Sequence, residues 1–246
     1  MFYEDLGAGD PAIVLVHGIG NHEHFAAQIE HFRTTHRVVA PDLPGFGKSE
    51  RAEQTLPGYA DAVAGLCAEL GVGKAVIVGH SMGGAIAVEL AARRPELVSA
   101  VVLVDPIAVV PLAEIQAQLA GLAEAVAGPP AQDAFRGFAE AVMFRPTDDA
   151  AVHARVVDEM CATTQDVLAA TLTSISTWSG ESLAARVSVP VLMITAGDGI
   201  PADMARTREL LPQLEVQRIE GVGHFAHVLV PDQVNALIDR FLAGLR

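Results

Sequence analysis

Ser81 has the surroundings best suited to covalent chemistry in this chain. Val76-Ile77-Val78 is an apolar, strand-like run, Gly79-His80-Ser81-Met82-Gly83 reads as a sharp turn, and Gly84-Ala85 opens a helical pattern. A serine in so tight a turn is held in strained backbone, and the residues two before and two after it must lack side chains. The turn lifts Oγ above the strand and aims it at the start of the next helix. Developing negative charge is favoured there by the helix dipole and free N–H groups. The chemistry this suits is attack on an acyl carbonyl, as in an ester. Serine is a poor nucleophile at neutral pH and needs a base. Nine histidines are available, and an acid must orient the one that serves.

The elements that would carry these residues alternate along the chain. Short Val/Ile-rich runs at 12–16, 37–40, 75–78, 100–104, 191–194 and 214–219 lack polar alternation, as strands buried on both faces should. Helical patterns lie between them, around 22–32, 58–70, 82–93, 203–211 and 231–244. This alternation predicts a mostly parallel sheet flanked by helices. The interval 107–186 breaks the rhythm. It is rich in Ala, Glu and Leu, holds no convincing strand, and is punctuated by Pro111, Pro129-Pro130 and Pro146 into about four helices. It is far longer than one crossover needs. The expected organisation is therefore a core domain of residues 1–106 and 187–246 with a helical cap, or lid, inserted at 107–186.

Composition narrows the partners. The 246 residues fit one α/β domain, half of them apolar. The net charge of −14 disfavours nucleic acid and anionic membranes as partners. No apolar stretch reaches about 18 residues, so no membrane span is expected. The first residues, Met1-Phe2-Tyr3-Glu4-Asp5, do not resemble a signal peptide. Cys67 and Cys161 are too few and too far apart for a disulfide framework or a zinc site, and read as reduced thiols of a cytoplasmic protein. No metal or organic cofactor is expected. A small-molecule partner is, with the chain as a monomer or homodimer.

Four motifs in order resemble the α/β-hydrolase superfamily over nearly the whole chain. They are His17-Gly18-Ile19-Gly20, similar to its oxyanion loop; Asp42-Leu43-Pro44-Gly45-Phe46-Gly47-Lys48-Ser49; the elbow Gly79 to Gly83; and Gly221-Val222-Gly223-His224, similar to its catalytic-histidine loop. The resemblance implies an α/β-hydrolase fold with Ser81 as nucleophile and His224 as base. His227 is the local rival. It also implies an oxyanion hole made by the backbone N–H groups of Ile19 and Met82. His17 would shape the oxyanion loop and His80 pack within the elbow, while His22, His24, His31 and His36 read as surface residues.

The acid is the departure. Most members of the superfamily carry it after the strand that follows the cap, and the expected position here is Ile200. Asp198 lies two residues early. Val102-Leu103-Val104-Asp105-Pro106 instead places an aspartate after the strand that follows the elbow. Haloalkane-dehalogenase-like, lactonase-like and cofactor-free oxygenase-like branches keep their acid there. Asp105 is the first candidate, with Asp198 as the alternative and turn capping as a purely structural role for Asp105.

The expected activity is hydrolysis of a carboxylic ester or lactone through an acyl-serine. Two other classes stay open: cofactor-independent oxygenation or carbon–carbon bond hydrolysis on the same fold, and a non-catalytic ligand receptor. A dehalogenase is disfavoured, because that chemistry needs an aspartate in the elbow. Candidate wall residues are Val109, Leu112, Phe135, Phe138, Met143, Phe144, Leu172 and Trp178, with His22 and His24 near the rim. They suggest a small, largely apolar substrate.

Overall fold

The computed structural model describes residues 1–129, 131–197 and 199–245. Its centre is a seven-stranded sheet: β1 (Tyr3–Leu6), β2 (Ala12–Val16), β3 (Val38–Pro41), β4 (Ala75–His80), β5 (Val98–Val104), β6 (Val191–Ala196) and β7 (Leu214–Ile219). The order across the sheet is β1-β3-β2-β4-β5-β6-β7. All neighbours pair in parallel except β1, which runs antiparallel to β3 at the edge.

The strands alternate between two cores, as the pleat requires. Ile13 and Leu15 of β2, Val76 and Val78 of β4, and Val102 and Val104 of β5 face one side. There they meet α1 (Ala26–Phe32) and α11 (Pro231–Gly244), through Ile29, Phe32, Ile238 and Phe241. Val14, Val16, Ile77, Val101 and Leu103 face the other side, toward α2 (Leu56–Glu69) and α3 (Met82–Arg93). With both faces covered, β2 and β4 are buried along their whole length, which explains their unbroken apolar runs. The weakly apolar Tyr3-Glu4-Asp5-Leu6 forms β1 because an edge strand needs only one paired side.

Between β5 and β6 the chain forms α4 (Ala113–Ala127), α5 (Ala131–Val142), α6 (Ala150–Cys161), α7 (Gln165–Thr177) and the short α8 (Glu181–Ala184). Asp149, three residues after Pro146, caps α6 by accepting from the N–H groups of Ala151 and Val152. Buried polar ties join it to the core: Trp178 Nε1, just past α7, donates to Glu89 Oε1 of α3 at 2.9 Å, and the hydroxyls of Tyr59 on α2 and Thr171 on α7 share a 2.6 Å hydrogen bond. The last elements are α9 (Met204–Leu210), before β7, and α10 (Ala226–Leu229), which directly precedes α11. Among the described residues no helix is long and apolar enough to cross a membrane.

Candidate active site

β4 ends at His80 and α3 begins at Met82, so Ser81 alone makes the turn between them. Its φ of 53° lies in the left-handed region. A β-carbon on Gly79 would collide with the carbonyl of Gly83, and one on Gly83 with the carbonyl of Val16. The two glycines therefore let the helix start press against the strand ends. The turn is fixed by the Ser81 N–H donating to Val104 O at 3.0 Å, and by Ser81 O accepting from the N–H groups of Gly84 and Ile107.

Asp105, directly after β5, is the other non-glycine residue with a left-handed φ, 42°, among the described residues. Strained backbone of this kind persists where its surroundings hold it, and it clusters at functional sites. The surroundings here are specific. The Asp105 N–H donates to Ile194 O at 2.7 Å, and Asp105 Oδ1 accepts from the Ala196 N–H at 3.0 Å. Asp105 Oδ2 lies 2.6 Å from His224 Nδ1, and both side chains are nearly buried. That contact makes Nδ1 the protonated nitrogen and leaves Nε2 as an acceptor. Asp198 lies outside the described residues.

Ser81, Asp105 and His224 line one cavity of about 580 Å³. Ser81 Oγ and the His224 ring share it without a direct hydrogen bond among the described residues; such bonds commonly tighten only once substrate is present. Ile19 lines the cavity too, while the Met82 side chain is buried in the core behind it. Neither the Ile19 nor the Met82 N–H has a protein acceptor among the described residues. The loop bearing Ile19 is pinned by His17, which is fully buried. Its Nδ1 lies 2.5 Å from Gly18 O, and its Nε2 accepts from the Leu43 N–H at 2.9 Å. Burial pushes the His17 imidazole down to about 4, so it stays neutral and can serve both as donor and as acceptor.

Most of the remaining wall comes from the helical insertion, the rest from residues 196, 199–201 and 222–223. Phe135, Phe138, Met143, Phe144, Leu172 and Trp178 line the cavity. Val109 and Leu112 do not; Val109 is buried against a smaller cavity behind Asp105. Sequence reasoning missed Arg145, Ile115, Leu119 and Val222, which also line it. The placement of Arg145, Ile115 and Leu119 depends on how α4 and α5 fold back over the strand ends, and no local pattern signals that; Val222 reaches the wall because it precedes His224 in the same loop.

Three histidines read as surface residues are buried, and the reason differs for each. His22 does not line the cavity: its Nδ1 lies 2.6 Å from Asp42 Oδ1, and its backbone N–H donates to the same oxygen. Burial alone would pull its pKa down, but the bond to Asp42 and the charges of Asp42, Glu4 and Glu23 outweigh that and leave it raised. His24 Nε2 lies 2.9 Å from Glu159 Oε2 of α6, an ion-pair distance without hydrogen-bond alignment. His36 packs edge-on against Phe32. His80 sits within the elbow as expected, its Nε2 donating to His224 O at 3.1 Å. Its ring packs 4.2 Å from that of His227, the rival base, which is fully buried and whose ring nitrogens have no hydrogen-bond partner among the described residues. Burial holds both rings well below the usual imidazole value, and neither lines the cavity. Among the described residues no cluster of three or more His, Cys, Asp or Glu could hold a metal ion.

Comparison with known proteins extends this geometry to a family. Lipase LipV of Mycobacterium tuberculosis is 42% identical over 102 residues, covering 41% of this chain and only 39% of LipV. The sn-1-specific diacylglycerol lipase ABHD11 of Mus musculus is 28% identical over 253 residues, 95% of this chain and 81% of that protein. Among solved structures, a thermophilic esterase from Thermogutta terrifontis superposes with a TM-score of 0.88 at 25% identity, covering 99% of this chain and 93% of the esterase. The model of the alpha/beta hydrolase family matches residues 13–237, from the second strand to the last helix. A match of that extent, over a chain that turns on a serine elbow, means that this protein belongs to the alpha/beta hydrolase family.

Proposed function

We propose that the protein hydrolyses a carboxylic ester or lactone of a small, largely apolar substrate through an acyl-serine intermediate. The observation that carries this reading is the 2.6 Å contact between His224 Nδ1 and Asp105 Oδ2, with both residues on the same cavity as Ser81. Ser81 Oγ attacks the carbonyl carbon while His224 Nε2 takes its proton. Asp105 stabilises the resulting imidazolium and keeps the ring in the tautomer that accepts at Nε2. The tetrahedral oxyanion takes hydrogen bonds from the Ile19 and Met82 N–H groups, which have no protein acceptor among the described residues. Collapse expels the alcohol, protonated by His224. Water, deprotonated by the same nitrogen, then releases the acid and restores Ser81.

The insertion at 107–186 acts as the cap. Its aromatic and aliphatic side chains form most of the wall opposite Ser81 and suit an apolar acyl or alcohol group. The volume, about 580 Å³, is that of a small-molecule site rather than of a polymer groove. A p-nitrophenyl ester series of increasing acyl length, assayed on the wild type and on Ser81→Ala, tests the reading. Turnover should peak at an intermediate length and vanish in the variant. Equal turnover in both proteins would overturn it and favour chemistry in which His224 and Asp105 deprotonate substrate without a covalent serine.

A further inference from the structure

The loop that carries His224 is gripped from the helical insertion as well as from the sheet. Residues 143–148, between α5 and α6, lie directly over it. The His224 N–H donates to Met143 O at 2.8 Å. The preceding N–H, of Gly223, donates to Asp148 Oδ1 at 3.2 Å. Asp148 Oδ2 accepts from the Arg145 N–H at 2.8 Å, and the Asp148 N–H donates back to Arg145 O at 3.0 Å. The carboxylate thus spans the insertion and the histidine loop. A second observation is independent of these bonds. A β-carbon on Gly223 would run into the Asp148 carboxylate and lie 2.7 Å from Met143 O and 3.0 Å from Phe144 Cα. The backbone at 223 comes this close to the insertion only because it is glycine.

The grip is anchored on both sides. Phe144 stacks on Phe225, the residue after His224, at 5.3 Å with an interplanar angle of 8°, and on His153 of α6 at 4.1 Å and 16°. Asp149, next to Asp148, caps α6. His24 and Glu159 tie the far end of α6 to the core.

We propose that Asp148 is a positioning residue for His224. By holding the Gly223 N–H it fixes the backbone from which the imidazole projects, so that Nδ1 meets Asp105 and the ring faces the cavity it shares with Ser81. Asp105 orients the ring at its tip; Asp148 orients the same residue at its root, from the insertion. An insertion so tied to the base makes the turnover rate, and not only substrate choice, sensitive to its packing. The inference rests on the proposed role of His224 as base.

The test compares Asp148→Ala, Asp148→Asn and Gly223→Ala with the wild type and His224→Ala on one p-nitrophenyl ester, with active sites counted by a fluorophosphonate label. Displacing a catalytic group by about 1 Å costs on the order of 100-fold. Asp148→Ala is therefore expected to lower kcat per labelled site by roughly 10- to 100-fold, with KM within about twofold, and to slow labelling by the same factor. Asp148→Asn keeps one carbonyl acceptor for Gly223 and should recover most of the loss. Gly223→Ala should reproduce it, and serves if Asp148→Ala does not fold. The low-field proton resonance of His224 Nδ1–H should broaden or vanish in Asp148→Ala. An unchanged kcat per labelled site in folded Asp148→Ala would overturn the proposal. So would a loss accounted for entirely by fewer labelled sites. Full activity in His224→Ala would instead overturn the reading of His224 as base.

Discussion

Asp105, at the end of β5, reaches His224 across the mouth of β6, with Oδ2 on the ring and Oδ1 on the Ala196 N–H of the intervening strand. The carboxylate is thus aimed by the sheet itself, and its left-handed φ of 42° is what turns the side chain toward the histidine.

Asp105→Asn isolates this role. Asparagine tolerates left-handed backbone, so the turn should survive. It can still accept from Ala196, but its amide no longer favours the Nδ1–H tautomer. A loss of about 1,000- to 10,000-fold in kcat is expected, with near-native far-UV circular dichroism. Wild-type turnover in this variant would mean that Asp105 only caps the turn.

The buried histidines give stability a pH dependence whose sign is determined. His17, His80 and His227 have folded pKa values pushed down by burial, to about 4 for His17. The unfolded chain titrates near pH ~6.5 and so binds more protons than the folded one below that pH. The contribution of these three is complete above about pH 6.5 and falls as the pH drops toward 4, by on the order of 3 kcal/mol for His17 alone. His22 has the opposite sign: its raised pKa contributes stability below about 6.5 that is lost as the pH rises through its folded value. Three lowered groups against one raised make the acid side weaker. Urea midpoints from pH 8 to 4.5 check this, and His227→Phe should flatten the slope. A midpoint independent of pH would contradict it.

Trp178 joins the cavity wall to a buried acid. Its Nε1 donates to Glu89, whose other oxygen lies 3.6 Å from Arg93. Trp178→Phe keeps an aromatic wall but leaves one carboxylate oxygen without its donor, costing about 1–3 kcal/mol. A lower melting temperature with a modest change in KM is the expected result. Glu89→Gln, which retains an acceptor, should melt closer to the wild type than Trp178→Phe does.

His22 sits on Asp42 and away from the cavity. His22→Ala should therefore lower the unfolding free energy, read from urea titration, by about 1–3 kcal/mol for a buried carboxylate left short of a donor, while KM stays within about twofold. A large rise in KM at unchanged stability would return His22 to the substrate-binding set.

What could be read from the sequence divides along physical lines. The runs that became β2 to β6 were legible because a strand covered on both faces must be nearly apolar throughout, and the elbow because glycines must flank its serine; β7, an edge strand with Glu215 and Arg218 exposed, was legible only from its place in the alternation. β1 was not, since Tyr3-Glu4-Asp5-Leu6 is largely unburied and polar at its centre, and what holds it is backbone pairing with β3 and the Asp5–Arg37 ion pair. The break into helices after residue 107 followed its prolines, apart from the α6–α7 junction at 162–164 and the α7–α8 junction at 178–180, which have none. His22 and His24 looked like surface residues because their partners, Asp42 and Glu159, lie 20 and 135 positions away in the chain. Asp148 carried no signal for the same reason: its partner is 75 positions away, on a loop that only the folded insertion meets.

The central claim is the covalent serine, and intact-protein mass after fluorophosphonate treatment tests it most directly. The wild type should gain one adduct, mapped to Ser81, and lose esterase activity in step; Ser81→Ala should gain none and be inactive. An unlabelled but active wild type, or a Ser81→Ala variant that turns over ester at the wild-type rate, would contradict the account.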